Sequence, residues 1–324
     1  MRVTAVSGGI GGARFLRGLL RVLSPDDEVT VIGNTADDIR LFGLQVCPDL
    51  DTVMYTLGGG IDEDRGWGRD DEGWRARTEL AAYGAEPSWF GLGDRDLATH
   101  LVRSQLLAAG QPLSAVTAGL SARWLADLRP EVRLLPMSDD RVETNIVIED
   151  DEGRRAVHFQ EYWVRFGAKV PAYDVIVVGQ RDANPGPDVL DAIAHCDVLL
   201  LPPSNPVVSI GPVLGIPGIT DAIRATPAPV VGVAPIIGGA AVRGMADPLL
   251  RAVGVEVSAA AVAARYGSRS DGGVLDGWLV DTVDAQQAPR VEAVGIRCRA
   301  VPLLMRDLPA TAAIAAAALD LARA

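Results

Sequence analysis

The run Ser7-Gly8-Gly9-Ile10-Gly11-Gly12-Ala13-Arg14 is flanked by two different hydrophobic periodicities. Before it, Val3–Val6 is a short apolar, β-prone stretch; after it, Phe15, Leu16, Leu19, Leu20 and Leu23 recur at three- and four-residue spacing. That spacing describes one buried face of a helix, and Val29–Ile32 then reads as a second buried strand. Strand, glycine turn, helix and strand in this order open a doubly wound α/β fold with a mostly parallel, Rossmann-like sheet. Glycines at such a turn let the backbone reverse sharply and let an anion approach the amides of the following helix.

The C-terminal half repeats this grammar. Val175–Val178, Val198–Leu201 and Val230–Val233 read as strands, and Pro187–His195 as a helix. Short apolar runs without alternation predict strands covered on both faces of a parallel sheet. Between residues 62 and 130 the chain turns Arg- and Trp-rich, with Leu97, Leu101 and Leu106 at helical spacing. It is expected to be a mainly helical insertion in a core formed by 1–61 and 131–324. Ile146–Ile148 and Ala156–Trp163 flank an acidic, glycine-containing turn at Glu149–Arg155, a hairpin signal.

A hydrophobic fraction of 48% over 324 residues can bury a core without disulfides or a structural metal. The net charge of −12 argues against non-specific binding to nucleic acid or an anionic membrane. Cys47, Cys196 and Cys298 form no CxxC pair, which suits reduced thiols and makes a zinc site a poor expectation. MRVTAVSGG reads as a first strand rather than a signal peptide, and no apolar run reaches the ~18 residues of a spanning helix. A cytoplasmic protein is expected.

The glycine loop is not a dinucleotide fingerprint: aligning Gly9-Ile10-Gly11 to G-x-G puts Arg14 where the third glycine belongs. The second strand also ends at Gly33-Asn34 without the acidic ribose ligand of that motif. No lysine follows the glycines, so it is not a Walker loop either. Phosphate or diphosphate binding through Gly8, Gly9, Gly11 and Gly12 is the functional reading, and a tight β–α turn without ligand is the plain one.

A second constellation, Asn34-Thr35-Ala36-Asp37-Asp38, leads to Cys47-Pro48-Asp49-Leu50-Asp51-Thr52. Four carboxylates arriving at one sheet edge repel, and Mg²⁺, which takes one or two carboxylates with phosphate oxygens and water, would relieve them. Asp37, Asp38, Asp49 and Asp51 are therefore the candidate metal ligands, although Asp37 and Asp51 also suit helix N-caps. Ser204 and Asn205, in a stiff Pro-rich loop after a buried strand, could contact a base or ribose or simply form a turn. Gly93-Asp94-Arg95-Asp96 with His100, and Ser138-Asp139-Asp140-Arg141, are polar turns open to either reading. His158 and His195 are expected to be structural, and Trp67 and Trp74 could stack on a ring. The residues alone reach as far as metal-assisted phosphate or nucleotide chemistry at a parallel-sheet edge.

The segments SGGIGGARFLRGL, NTADD, CPDLDTVMYTLGG, GLGDRDLATHLVRSQLL, LLPMSDD, HFQEYWV, PSNPVVSIGP and PIIGGAAVRGMAD occur in an order that resembles the 2-phospho-L-lactate transferase family of coenzyme F420 biosynthesis. The likeness runs from Val3 to Met305, and GGGIDEDRGWG is similar to its actinobacterial branch, the phosphoenolpyruvate transferases. The resemblance implies a Mg²⁺-dependent, commonly dimeric enzyme. It would move an enolpyruvyl- or lactyl-bearing phosphate from a guanosine diphosphate-type donor to the ribityl hydroxyl of the deazaflavin Fo, releasing GMP. It places Asp51 at a family Fo-binding position and Gly91 at a second one, where some members carry lysine. Asp49 and Asp51 are then expected to organise metal and acceptor, and Ser204 and Asn205 the guanosine half. Two rivals are weighed against it. A non-catalytic nucleotide-sugar or dinucleotide-binding regulator of the same fold should lack the Fo-side segments, and a nicotinamide-dependent oxidoreductase should carry the missing glycine and ribose acid.

Overall fold

A computed structural model describes residues 1–324. Its centre is a seven-stranded sheet in which every neighbouring pair is parallel. From one edge to the other the strands are Arg297–Ala300, Gly277–Val280, Val230–Val233, Val198–Leu201, β1 (Arg2–Ser7), β2 (Glu28–Gly33) and Glu131–Pro136. The chain thus builds outward from β1 in one direction, then returns to β1's other side and builds in the opposite direction. The reversal falls between β1 and Val198–Leu201, and in open α/β sheets the crevice beyond the carboxyl ends of such a pair holds the ligand.

The strands around that point end level with one another. Ser7 lies opposite Gly33, Gly33 opposite Pro136, and Ala5 opposite Leu200. Val198–Leu201 and Val230–Val233 are buried along their whole length, as runs without alternation require. Helix α1 (Gly9–Val22) buries Ala13, Phe15, Leu16 and Leu19 and packs against the C-terminal helix Leu308–Arg323 and against α2 (Pro48–Leu57). Nearly all of α2 is buried, so the carboxylates at its start lie in the protein interior.

Residues 62–130 hold three helices, α3 (Arg75–Ala82), α4 (Asp94–Ala108) and α5 (Leu113–Leu125), with no strand longer than a single bridge. Leu113, Leu120, Trp124 and Leu125 of α5 join the main apolar core, so this segment is continuous with the sheet domain.

One strand expectation needs correcting. Val175–Val178 does form a strand, within Ala172–Val178, but it belongs to a separate antiparallel sheet with Glu143–Asp150 and Gly153–His158. Ile176 and Val178 are 43% and 55% exposed. The run is therefore one-sided, and its apolar outer residues imitate a two-sided strand. The hairpin turn falls at Asp150–Gly153, and the second strand stops at His158 because Glu161–Arg165 winds into a π-helical turn. No helix is long and apolar enough to cross a membrane.

Candidate functional site

A cavity of about 850 Å³ opens at the sheet edge predicted by the strand order. Gly8, Gly9, Ile10 and Gly11 line it from one side, and Pro203, Ser204 and Asn205 from the loop after Val198–Leu201. Gly9 has φ +67°, a conformation that costs other residues strain. A Cβ on Gly8 would stand 2.5 Å from Asp49 Oδ2, and one on Gly11 2.5 Å from the Pro203 carbonyl oxygen. Gly12 does not reach the cavity; its missing side chain lets α1 pack on the Ser7 and Ser204 hydroxyls.

The first turn of α1 meets the first turn of α2. The Gly9 amide donates to Asp49 Oδ1 at 2.8 Å, and the Asn34 side-chain amide donates to Asp49 Oδ2 at 2.9 Å and to the Val208 carbonyl at 3.2 Å. The Asn34 oxygen accepts from the Ala36 amide, and the Gly8 amide donates to Ser204 Oγ. Asp49 thus acts as the missing cap of α1. The amides of Ile10 and Gly11, which a helix start leaves without intrahelical partners, remain at the cavity wall.

Asp37 shares that wall with Asp49. Both are buried, at 3% and 6% exposure, and Asp37 Oδ1 has no hydrogen-bond partner. Burial, then the charges of Asp49 and Asp38, pushes the Asp37 carboxyl well above the carboxylate range. Burial also pushes Asp49 up, while Asn34 and the Gly9 amide pull it partly back. Two buried carboxylates in a cavity wall, one with an unpaired buried oxygen and both supported only by neutral donors, form an all-oxygen set suited to a hard divalent cation such as Mg²⁺.

The other two acids lie elsewhere. Asp38 does not line the cavity: burial lifts its carboxyl to about 8, opposed by a hydrogen bond from Cys47 and by Arg103. Asp51, on the same helix as Asp49, points into the interior, where Arg103 takes both of its oxygens, one of them at 3.0 Å. The four acids therefore form a cavity pair and an interior pair; for Asp49 and Asp51 the reason is that helix positions two residues apart face different ways. Asp51, Asp96 and His100 do converge. With Arg103 already neutralising Asp51, and the Tyr55 hydroxyl donating to Asp96 at 2.8 Å, a cation there would have to displace a guanidinium. Neither Asp37 nor Asp51 caps a helix; Cys47 precedes α2, and Asp37 lies in a turn.

Much of the remaining wall is apolar and aromatic, with Phe90, Phe159, Trp163, Val242 and Met305. Gly91 is part of this wall beside Trp74 and Arg77, and Trp67 stands at the rim with the Arg65 guanidinium 5.3 Å from its ring centroid. Trp74 does not line the cavity and is the second ring under Arg65. Asn205 spends its side-chain oxygen on the Val207 and Val208 amides, so it shapes its own loop while it lines the site. Asp94, in the turn left open to either reading, accepts from the Arg75 and Ala76 amides at the start of α3. Asp139 and Asp140 tie down Ser114 and Asn184. His158 faces the Asp38 carbonyl, and His195 is exposed on its helix end.

Sequence reasoning did not single out Arg243, Phe159, Trp163 or Met305. It met Arg14 only as the residue that breaks a fingerprint. The signal for Arg14 was present, since it stands four residues after Ile10 and hence on the same helix face. The others come from segments distant in sequence that only the fold brings to this edge.

Comparison with known proteins places the chain among relatives of one kind. The profile of the family described as "2-phospho-L-lactate transferase CofD" matches residues 3–296. A "Phosphoenolpyruvate transferase" of Kitasatospora aureofaciens is 64% identical over 322 residues, covering 99% of this chain and 98% of the relative. The protein of that description from Mycolicibacterium smegmatis is 54% identical, covering 99% of both. Among solved structures, a member of the UPF0052 family from Bacillus halodurans superposes with a TM-score of 0.62 at 19% identity, over 98% of this chain and 99% of the other, and so shares the fold.

Proposed function

The chain belongs to the 2-phospho-L-lactate transferase (CofD) family and is a transferase, and on that premise we propose that it serves coenzyme F420 biosynthesis by moving a phosphoenolpyruvyl group onto Fo. The donor is a guanosine diphosphate-type conjugate of enolpyruvate, or of lactate in the alternative form. The acceptor is the terminal ribityl hydroxyl of Fo, and GMP leaves. The enolpyruvyl form is favoured because relatives at 54–64% identity are described as phosphoenolpyruvate transferases.

The observation that carries this reading is the mixed lining of the cavity, which combines the first turn of α1 and the Asp37–Asp49 pair with a broad aromatic wall. A diphosphate fits the first and a deazaflavin ring the second, which puts the ribityl chain between them. Phosphoryl transfer asks a protein chiefly for alignment and charge neutralisation. The Ile10 and Gly11 amides would orient the diphosphate, while Asn34 and the Gly9 amide fix the Asp49 carboxylate. Ser204, itself engaged by the Gly8 amide, closes the nucleotide side together with Asn205. Asp37 and Asp49 would hold Mg²⁺, which when bound supplies positive charge against the transferring phosphate. A carboxylate beside the ribityl hydroxyl can accept its proton late, so no strong protein nucleophile is needed.

The test is the mass of the product formed from Fo and Mg²⁺ with the enolpyruvyl and the lactyl donor side by side. Dehydro-F420-0 from the first supports the reading, and F420-0 alone moves the assignment to the lactyl form. No deazaflavin product from either donor refutes it.

A further inference from the structure

Although the protein carries a net charge of −12, three arginines, Arg14, Arg65 and Arg243, line its cavity. Their surroundings differ. Arg65 is paired with Asp62, and Arg17, next to them on α1, with Glu63. Arg14 and Arg243 are instead held by backbone carbonyls alone: Arg14 Nη2 donates to the Glu63 oxygen at 3.1 Å and Arg243 Nη2 to the Asp64 oxygen at 3.2 Å. The turn that offers these carbonyls is fixed by Asp62 Oδ1, which accepts from the Asp64 and Arg65 amides at 3.1 and 2.8 Å. At Gly66 a Cβ would stand 2.8 Å from Arg243 Nη1 and 3.0 Å from Ile10, so Arg243 crosses this turn beside the first turn of α1.

The two guanidiniums are neighbours. Burial, and then the charge of Arg243, holds the Arg14 guanidinium below its ordinary value. A guanidinium has five N–H donors in a fork that matches a carboxylate, and each of these two spends one on a carbonyl. Apart from Glu63, which is itself paired with Arg17, no carboxylate acts on Arg14, so two adjacent guanidiniums, Arg14 half-buried and Arg243 exposed, present free N–H donors to the cavity. Arg14 follows Ile10 by one helical turn, about 5–6 Å, and its side chain leans back over that turn, so its guanidinium can meet a group attached to a diphosphate held at the α1 amides.

The geometry points to Arg14 and Arg243 as a clamp for the carboxylate of the donor's three-carbon acid. This assignment rests on the transferase reading above, and it divides the donor's charge between two places. The diphosphate lies at the α1 amides and the Asp37–Asp49 pair, and the remaining anion of the donor, its carboxylate, faces the guanidiniums. The clamp selects a phospho-carboxylic acid conjugate over a plain guanine nucleotide, and it fixes the acid's rotation about the phosphate.

The experiment is calorimetric titration of wild type, Arg14→Gln and Arg243→Gln with the guanylylated enolpyruvyl phosphate, with GDP and with phosphoenolpyruvate, alongside turnover. Each variant is expected to bind the conjugate about tenfold or more weakly and to keep its affinity for GDP within about twofold. Equal weakening toward the conjugate and GDP would place the arginines on the diphosphate and overturn the clamp, and so would unchanged binding of both. If wild type turns over and the variants match it, the clamp falls and the reaction stands. If wild type makes no product yet binds phosphoenolpyruvate, and the variants lose that binding, the clamp stands and the reaction falls.

Discussion

Replacing Arg103 by Met tests whether Asp51 serves the fold or the acceptor. The Asp51 side chain is 6% exposed and that of Arg103 2%, with both carboxylate oxygens on the guanidinium. Removing one partner of such a pair leaves a buried charge without compensation and typically costs about 3–5 kcal/mol. A globular protein is stable by roughly 5–15 kcal/mol, so Arg103→Met should lower the melting temperature on the order of 5–10 °C. Asp51→Asn alone should likewise destabilise, by stranding the guanidinium. Because each single change strands the other group, the double variant should recover about 2 kcal/mol relative to the sum of the singles. The assay is thermal melting of all four proteins with turnover measured well below the lowest melting point. If Asp51 acts through the scaffold, turnover in the double variant recovers with stability. A double variant that melts like wild type but turns over more than about tenfold slower would refute this reasoning and place the Asp51 carboxylate on the acceptor.

Asp49→Asn and Asp37→Asn should each cut turnover by at least about tenfold, roughly 1.4 kcal/mol of barrier, and weaken Mg²⁺ binding in a titration of the free protein; near wild-type values in both variants would remove the pair from the mechanism. Chelation should abolish turnover and added Mg²⁺ restore it, whereas activity that survives exhaustive chelation would contradict the oxygen-ligand assignment. Gly8→Ala puts a methyl 2.5 Å from Asp49 Oδ2 and 2.8 Å from Ser209 Cβ, so a loss of about 1–3 kcal/mol by denaturant titration is expected, together with lost turnover. Gly91→Ala meets only the ends of the Trp74 and Arg77 side chains, at 3.2 and 3.3 Å, and should leave the melting temperature unchanged within about 2 °C and the KM for Fo within about threefold.

The first β–α–β unit was readable from the sequence because its signals are local. A glycine run, a helical apolar stripe and two short buried strands lie within the first 33 residues. Strands such as Val198–Leu201 could be found for the same reason, as could α4. Val175–Val178 was misassigned because an apolar run is the same string whether one or both faces are covered, and only pairing with Glu143–Asp150 separates the cases. The carboxylate cluster was visible as composition, but its division was not. Spacing on α2 shows that Asp49 and Asp51 point differently, yet nothing local says that Arg103, on another helix, waits for one of them. The aromatic wall was invisible for the same reason, since Phe90, Phe159 and Met305 come from three segments far apart in sequence.

The two fates of the α2 acids bear on where function resides. Asp51 is buried and neutralised, so the fold alone accounts for its burial. Asp37 and Asp49 are buried together, repel each other, and leave Asp37 Oδ1 unpaired. A chain optimised only for stability would replace one of them, because an unpaired buried carboxylate is among the costliest groups an interior can hold. On the same cavity Arg14 and Arg243 hydrogen-bond only to backbone carbonyls and keep most of their donors free. Local disagreement with an otherwise consistent fold marks a place that something else completes. Here one ligand can satisfy both ends: phosphate oxygens beside a cation held by the acids, and a carboxylate for the guanidiniums. The deazaflavin then needs only the apolar remainder of the cavity to bring its hydroxyl into line.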